Sequence, residues 1–251
     1  MKLYKFKDFT EENNHPHFLQ IVLERKIWCA SPNSLNDKDE NEFNFEINYT
    51  PTPNTESLLA QLIAQNRPID SWNPFPPSYV ARQTLINNTL EELARPIINN
   101  ITQRSRSEIG ITSFTYEANA TLWEEHGGKG NGACIEINIP DSLIGQLYQH
   151  VNYVPKKIFH VDIFLEATLS NDNGKAQEVY ESILLTKTNN FCYEKEVRFV
   201  SKQQNVNFII DGHISKVIFG AKTPNSVQEK LLCQISNHCK SNNIIISTIE
   251  I

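Results

Sequence analysis

The sequence has no hydrophobic run of membrane-spanning length and no excess of positive charge. Its 251 residues carry 23 Lys and Arg against 29 Asp and Glu, which gives a formal net charge of −6. The missing basic excess argues against nonspecific nucleic-acid binding. The lack of about 18 consecutive apolar residues argues against a transmembrane helix. No apolar stretch follows the opening MKLYKFKDF, so we expect a cytoplasmic protein without a secretory signal or a membrane partner.

Paired-cysteine motifs are also missing, because no two cysteines have C-x-x-C spacing. An odd number of scattered cysteines is typical of reduced thiols in a cytosolic protein. The sequence therefore predicts neither a disulfide framework nor a zinc site of clustered thiolates. The five cysteines are Cys29, Cys134, Cys192, Cys233 and Cys239.

The order of short strands and unevenly inserted helices favours an α+β fold with mixed, mostly antiparallel sheets. We expect one domain over residues 1–251, with a helical insertion at about 51–105 that includes a helix near 79–103, broken at Pro96. Asn119 is expected to cap the helix ATLWEEH, and Asp141 to cap a helix in SLIGQLYQH. The alternating stretch GACIEINI predicts a strand whose Ala133, Ile135 and Ile137 face the core.

The stretch FCYEKEVRFV carries the densest set of candidate functional groups. If it is one strand, Glu194, Glu196 and Arg198 share a face and Val197 and Phe199 point to the core. Two carboxylates beside an arginine can divide the work of proton transfer and substrate positioning. The alternative is a solvated outer face with cross-strand ion pairs.

A glycine-rich segment, WEEHGGKGNGACIEI, precedes the predicted strand and begins with His126. Glycine lets backbone N–H groups approach a phosphate closely. The segment is neither a Walker motif nor a Rossmann fingerprint, so a plain connection between helix and strand is the alternative. His126 is a candidate general base, or a residue that caps the preceding helix.

Several segments occur in an order that resembles the bacterial domain-of-unknown-function family 2971, over about residues 2–220. They are LYKF, IWCASPNSLND, ITSFT, LWEEHGGKGNGACIEI, YEKEVRF and KVIFG. This likeness implies no activity.

YEKEVRFV also resembles the E-x-E segment of arginine-type mono-ADP-ribosyltransferases, and this resemblance implies an ADP-ribosyltransferase-like core. Lys5 in LYK would then correspond to the basic residue of the first strand. Thr112 and Ser113 in ITSFT would correspond to the second motif, with Ser31 in ASP as the alternative. The implied reaction uses NAD as substrate and cleaves its nicotinamide–ribose bond. Glu196 would stabilise positive charge on the ribose, and Glu194 would orient the acceptor. The residues predicted to hold NAD are Lys5, Ser113, Thr112, Ser31, Arg198 and His126.

This resemblance implies a toxin or anti-phage effector that binds a small-molecule nucleotide and modifies a protein or nucleic-acid acceptor. Two other functions stay open. One is a binding module without catalysis, using the glycine-rich segment and the face of Glu194 and Arg198. The other is a metal-dependent hydrolase or nuclease that uses His126, Glu136 and Asp37, although no metal ligand set is predicted.

Overall fold

The structure is a computed structural model. It describes residues 1–11, 14–34, 46–49, 53–66, 74–92, 95, 99, 103, 107–170 and 173–249. The chain divides into two compact units: a first unit of Met1–Asn36, Arg106–Val151 and Asn190–Ile251, and a second unit of Asp37–Ser105 and Asn152–Asn189. The insertion predicted at about 51–105 falls in the second unit. Helices combine with mostly antiparallel sheets, which confirms the α+β class.

The first unit is built on strands β1 (Lys2–Asp8), β2 (Lys26–Cys29), β4 (Gly110–Thr115), β5 (Gly132–Asn138), β6 (Tyr148–His150), β10 (Glu196–Ser201), β11 (Val206–Ile209), β12 (His213–Gly220) and β13 (Ile245–Ile249). Its helices are α1 (Asn14–Glu24), α4 (Ala120–Glu125) and α7 (Asn225–Ser241). Seven of these strands form one sheet in the order β13-β12-β5-β1-β4-β10-β6. Only the β12–β13 pair within that sheet is parallel.

One face of this sheet forms the main core. Leu3, Ile135 and Val197 alternate inward along β1, β5 and β10, and each is fully buried. They pack with apolar residues of α1 and α7, such as Phe18 and Leu231. The inward alternation predicted for GACIEINI is confirmed, since strand side chains point to opposite faces at successive positions.

A second, smaller cluster lies on the opposite face, where α4 covers part of the sheet. Leu122 and Trp123 of α4 pack with Phe6, Cys134 and Ile218. The predicted cap of this helix is confirmed, because the Asn119 side chain accepts a hydrogen bond of 3.0 Å from the Leu122 amide. α4 covers only part of this face, and the end that carries Glu196 lies outside this cluster.

The second unit holds α2 (Pro53–Asn66), α3 (Pro77–Ile86), α5 (Val161–Ser170) and α6 (Asn173–Leu184), with the parallel pairs β3–β8 (Glu46–Asn48, Ile158–His160) and β7–β9 (Asn152–Val154, Thr186–Thr188). The helix predicted near 79–103 is interrupted earlier than expected, since α3 ends at Ile86 and Asn88 has a φ of 55°, while the described residues 90–92, 95, 99 and 103 are again helical. Pro96 lies outside the described residues. Among the described helices, none combines the length and apolar character needed to cross a membrane.

The helix predicted after Asp141 is wrong. Asp141–Leu143 forms a single 3₁₀ turn, and Gly145 has a left-handed φ of 80°, which a continuing helix cannot accommodate. The Asp141 carboxylate instead accepts a hydrogen bond of 2.6 Å from the N-terminal amine of Met1. The chain then enters β6 at Tyr148.

The single strand predicted for FCYEKEVRFV is wrong in its first half. Asn189–Glu194 is a 3₁₀ segment, and Lys195 has a φ of 44°, so extended structure begins at Glu196. Glu194 therefore does not alternate on one strand with Glu196 and Arg198. Val197 points to the core as predicted, and Phe199 packs partly buried against it.

Candidate active site on the glutamate face

The three segments singled out by the resemblance lie on hydrogen-bonded neighbours, β1, β4 and β10. Glu136 on β5 pairs with Tyr4 on β1, Tyr4 pairs with Thr115 on β4, and Thr115 pairs with Glu196 on β10. Directly paired residues point to the same face, with Cβ atoms about 5 Å apart. We call this cross-strand row, together with Ser113 and Arg198 beside it, the glutamate face.

β1 and β4 pair at one position, Tyr4 with Thr115. By comparison, β1 pairs with β5 over seven positions and β4 with β10 over six. The pairing between β1 and β4 is therefore much shorter than that of their other neighbours. The polar row crosses the sheet at this junction. Tyr4 and Ser113 are partly exposed there, whereas Thr115 between them and Glu196 is buried.

Glu196 and Arg198 form a buried ion pair at the β10 end of the face. Arg198 Nε donates to Glu196 Oε1 at 2.8 Å, and its Nη2 donates to Oε2 at 3.0 Å. Glu196 is 5% exposed and Arg198 3% exposed. The alternative of a solvated outer face therefore does not hold for these two residues, because both are buried and their charges meet in a bidentate contact.

Glu194 lies just outside the strand but reaches a second group of polar side chains. Its Oε1 is 3.4 Å from His126 Nε2, and Glu194 is 6% exposed. Glu125 adds a third possible ligand atom, with all three atoms within 4.8 Å of one another. The Tyr193 hydroxyl donates to the Glu125 carboxylate. Glu194 and His126, both predicted site residues, are thus brought together.

Glu136 occupies the other end of the row and is held as a carboxylate. Burial alone would raise the pKa of Glu136, but hydrogen bonds from Ser215, Lys2 and Tyr4 outweigh it and keep that pKa below its usual value. The Ser215 hydroxyl donates to Oε1 at 2.7 Å, and the Tyr4 hydroxyl to Oε2 at 3.1 Å. Burial and the adjacent Glu136 charge raise the pKa of Tyr4 to about 12, so Tyr4 stays a donor.

Lys5 lies on the opposite face from Glu196, because it follows Tyr4 by one residue on β1. Its Nζ donates to the Ser113 carbonyl oxygen at 2.8 Å and lies 5.9 Å from the centre of the Phe114 ring. Desolvation lowers the pKa of Lys5 to about 8, although the charge of Glu196 partly offsets this. Lys5 therefore bridges β1 and β4 from the core side.

Thr112 shares the Lys5 side of the sheet, since it pairs with Phe199. The predicted NAD-binding residues Thr112 and Ser113 thus point in opposite directions along β4. The Thr112 hydroxyl is buried and has no hydrogen-bond partner within the described part of the chain. Ser31 begins a short turn, in which its carbonyl accepts from the Ser34 amide, next to the bridge between Ala30 and Ile111.

The glycine-rich segment packs closely against its neighbours. A Cβ on Gly132 would lie 2.2 Å from the Lys7 carbonyl oxygen, and the Gly132 amide donates to the Thr223 hydroxyl at 3.1 Å. The amides of Gly130 and Asn131 donate to carbonyls within the segment. These three amides are already used inside the protein, which favours the interpretation of the segment as a connection over a phosphate cradle.

Sequence reasoning did not find Tyr4, Thr115 or Glu125 as parts of the site. Tyr4 and Thr115 lie in segments that were singled out, but their joint face depends on strand register. Glu125 lies directly before His126, which was a candidate. Asp37, named for a hydrolase, is outside the described residues, and Glu136 contacts Tyr4, Ser215 and Lys2, with no contact to His126 among its described partners.

Comparisons with protein-family models, with curated proteins and with solved structures gave no match to this chain.

Proposed function

We propose that the glutamate face is the active site of an NAD-using, ADP-ribosyltransferase-like enzyme. One observation carries the proposal. The basic segment of β1, the Ser/Thr segment of β4 and the glutamate segment of β10 are neighbours in the middle of one sheet and meet in the row Tyr4, Thr115 and Glu196. Segments more than 80 residues apart in sequence thus supply one polar face.

The proposed reaction breaks the bond between the nicotinamide nitrogen and the ribose carbon, and the electron pair of that bond leaves with nicotinamide. Positive charge develops on the ribose, so a fixed negative charge beside it lowers the barrier. Glu196 is suited to this role because its ion pair with Arg198 fixes both oxygens in place. A carboxylate oxygen can accept more than one hydrogen bond, including one from a ribose hydroxyl.

Glu194 and His126 are suited to the second half of the reaction. A nucleophile on the acceptor, a protein or nucleic acid, or water in its place, must lose a proton as it attacks the ribose carbon. Glu194 Oε1 and His126 Nε2 are 3.4 Å apart. Because His126 is exposed, an acceptor can reach this pair. A positioned acid–base group contributes about 10²- to 10⁴-fold in rate.

Lys5 takes a different role from the one the resemblance implies. Its amine contacts the Ser113 carbonyl from the core side of the sheet. In this proposal Lys5 holds β1 against β4, which share a single residue pair. Tyr4 is then the β1 side chain that faces the substrate. Tyr4 carries a hydroxyl on the same face as Glu196.

The test is incubation with NAD labelled in both the nicotinamide and the ADP-ribose. Wild-type protein is expected to release nicotinamide and to transfer the labelled ADP-ribose to water or an acceptor, and Glu194→Gln to lower the rate of that transfer by about 100-fold. Glu229→Gln, an exposed glutamate of α7, is the matched control and should leave the rate unchanged. Circular dichroism verifies that each variant is folded. A wild-type protein that neither binds nor cleaves NAD would refute the proposal, as would equal rates for wild type and Glu194→Gln.

A binding module without catalysis is the second candidate, and the burial of Glu196 and Arg198 favours it. Calorimetry with NAD separates the two functions. NAD binding without nicotinamide release, whether or not protein or nucleic-acid acceptors are added, would support the module. Transfer of ADP-ribose that depends on Glu194 would support the enzyme.

A further inference from the structure

The geometry points to a site for a divalent transition-metal ion between Glu125, His126 and Glu194. Glu125 ends α4, His126 caps it, and Glu194 ends the 3₁₀ segment that leads into β10. One ligand atom from each residue lies within 4.8 Å of the other two. Residues almost 70 positions apart in the chain thus present one nitrogen and two oxygens to a common point.

The distances fit an ion after a small closure. Ligand atoms bound at about 2.0–2.2 Å in tetrahedral geometry lie roughly 3.3–3.6 Å from one another. His126 Nε2 and Glu194 Oε1 are already 3.4 Å apart. Glu194 is buried, whereas the side chains of Glu125 and His126 are exposed and can adjust toward it.

The donor set selects the class of ion. An imidazole nitrogen suits zinc, copper, iron and nickel, and carboxylates also suit manganese, whereas magnesium and calcium prefer oxygen ligands alone. Two carboxylates balance the charge of a divalent ion. Three protein ligands leave coordination positions for water or substrate, as in catalytic rather than structural sites.

A hydrogen bond outside the ligand set supports the same assignment. The Tyr193 hydroxyl donates to Glu125 Oε2, which orients that carboxylate and leaves its other oxygen for the ion. Partners of this kind commonly orient metal ligands. Tyr193 directly precedes Glu194, so a single short segment supplies both a ligand and the group that orients another ligand.

This inference does not rest on the proposed NAD chemistry, because it concerns binding alone. An ion here would join the end of α4 to the segment before β10. The competing explanation is a surface ion pair between His126 and Glu194 that binds no metal.

The test titrates chelator-treated full-length protein with Mn²⁺, followed by electron paramagnetic resonance, and with Co²⁺, followed by visible absorption. We expect one ion per chain. His126→Gln and Glu125→Gln should each weaken binding at least about tenfold, and Tyr193→Phe by about tenfold. Glu124→Gln is the matched control, since it removes an exposed neighbouring carboxylate outside the cluster and should leave the affinity unchanged.

Cys192 is exposed and lies two residues before Glu194. The cobalt spectrum therefore distinguishes the proposed ligand set from one that includes the Cys192 thiolate. A spectrum without a thiolate-to-cobalt charge-transfer band, unchanged in Cys192→Ser, supports the site. No binding of either ion, equal losses in Glu124→Gln and Glu125→Gln, or loss of binding in Cys192→Ser would overturn it. Circular dichroism of each variant excludes unfolding as the cause of a loss.

Discussion

The buried ion pair between Glu196 and Arg198 gives the sharpest stability prediction. Replacing Glu196 by Leu leaves the Arg198 guanidinium 3% exposed without the carboxylate that it contacts through two nitrogens. Replacing Arg198 by Met leaves the buried Glu196 carboxylate without the guanidinium that it contacts. Replacing both removes both charges and fills a similar volume with apolar atoms.

The magnitude follows from burial and distance. Two unit charges about 4 Å apart interact by about 4 kcal/mol at an effective dielectric constant near 20. Breaking one partner of a buried pair costs about 3–5 kcal/mol, whereas replacing the whole pair is often close to neutral. Each single variant should therefore lose about 3–5 kcal/mol in free energy of unfolding, and the double variant clearly less than the sum. For a chain of this length each kcal/mol corresponds to roughly 2–4 °C in Tm.

The assay is urea unfolding at pH 7, followed by the fluorescence of the buried Trp123 in the same unit. Glu24→Gln is the control, because Glu24 forms an exposed pair with Lys26, and its loss should cost less than about 1 kcal/mol. A Glu196→Leu variant that loses no more than Glu24→Gln would refute the reasoning. So would a double variant whose loss equals the sum of the single losses, because the two charges would then be energetically independent.

Two further predictions concern polar groups of the central sheet. Desolvation lowers the pKa of Lys7 to about 7 in the folded state, below its ordinary 10.5, so the unfolded chain binds more protons between these values. The free energy of unfolding should therefore rise from pH 7 to pH 9. Urea titrations should show a smaller rise in Lys7→Met and an unchanged rise in the control Lys202→Met, whose lysine is exposed. An equal rise with pH in wild type and Lys7→Met would contradict this prediction. Thr112→Val removes an unpartnered buried hydroxyl and should be neutral or stabilising, whereas Thr115→Val removes a hydroxyl that donates to the Glu117 carbonyl and should cost about 0.5–1.5 kcal/mol in the same assay. The reverse order would contradict the hydrogen-bond assignment.

The positions of several elements follow from local patterns in the sequence. The alternation in GACIEINI predicted β5 and its inward Ala133, Ile135 and Ile137, because the side-chain period of a strand is two. Asn119 was identified as a cap from its place before an apolar helical run, and it caps α4. Both signals act over a few neighbouring residues and need no knowledge of the rest of the chain.

Local patterns failed where the backbone departs from a regular period. Strand alternation assigned Glu194 to the face of Glu196 and Arg198, but the left-handed φ of Lys195 interrupts the strand between the two glutamates. A lysine carries little sequence preference for that conformation, so the break has no clear local signal. The same break lets Glu194 turn toward His126.

The sequence by itself determined the α+β class and the inward apolar positions of β5 and Val197. Only the tertiary structure decided which polar residues share a face. Lys5 and Glu196 were expected in one site, yet the pairing of Tyr4 with Thr115, and of Thr115 with Glu196, leaves Lys5 on the other side. Register between strands more than 80 residues apart depends on packing across the whole sheet, and a shift of one residue exchanges the faces. The composition of the glutamate face is therefore a property of strand pairing that no single segment of the sequence contains.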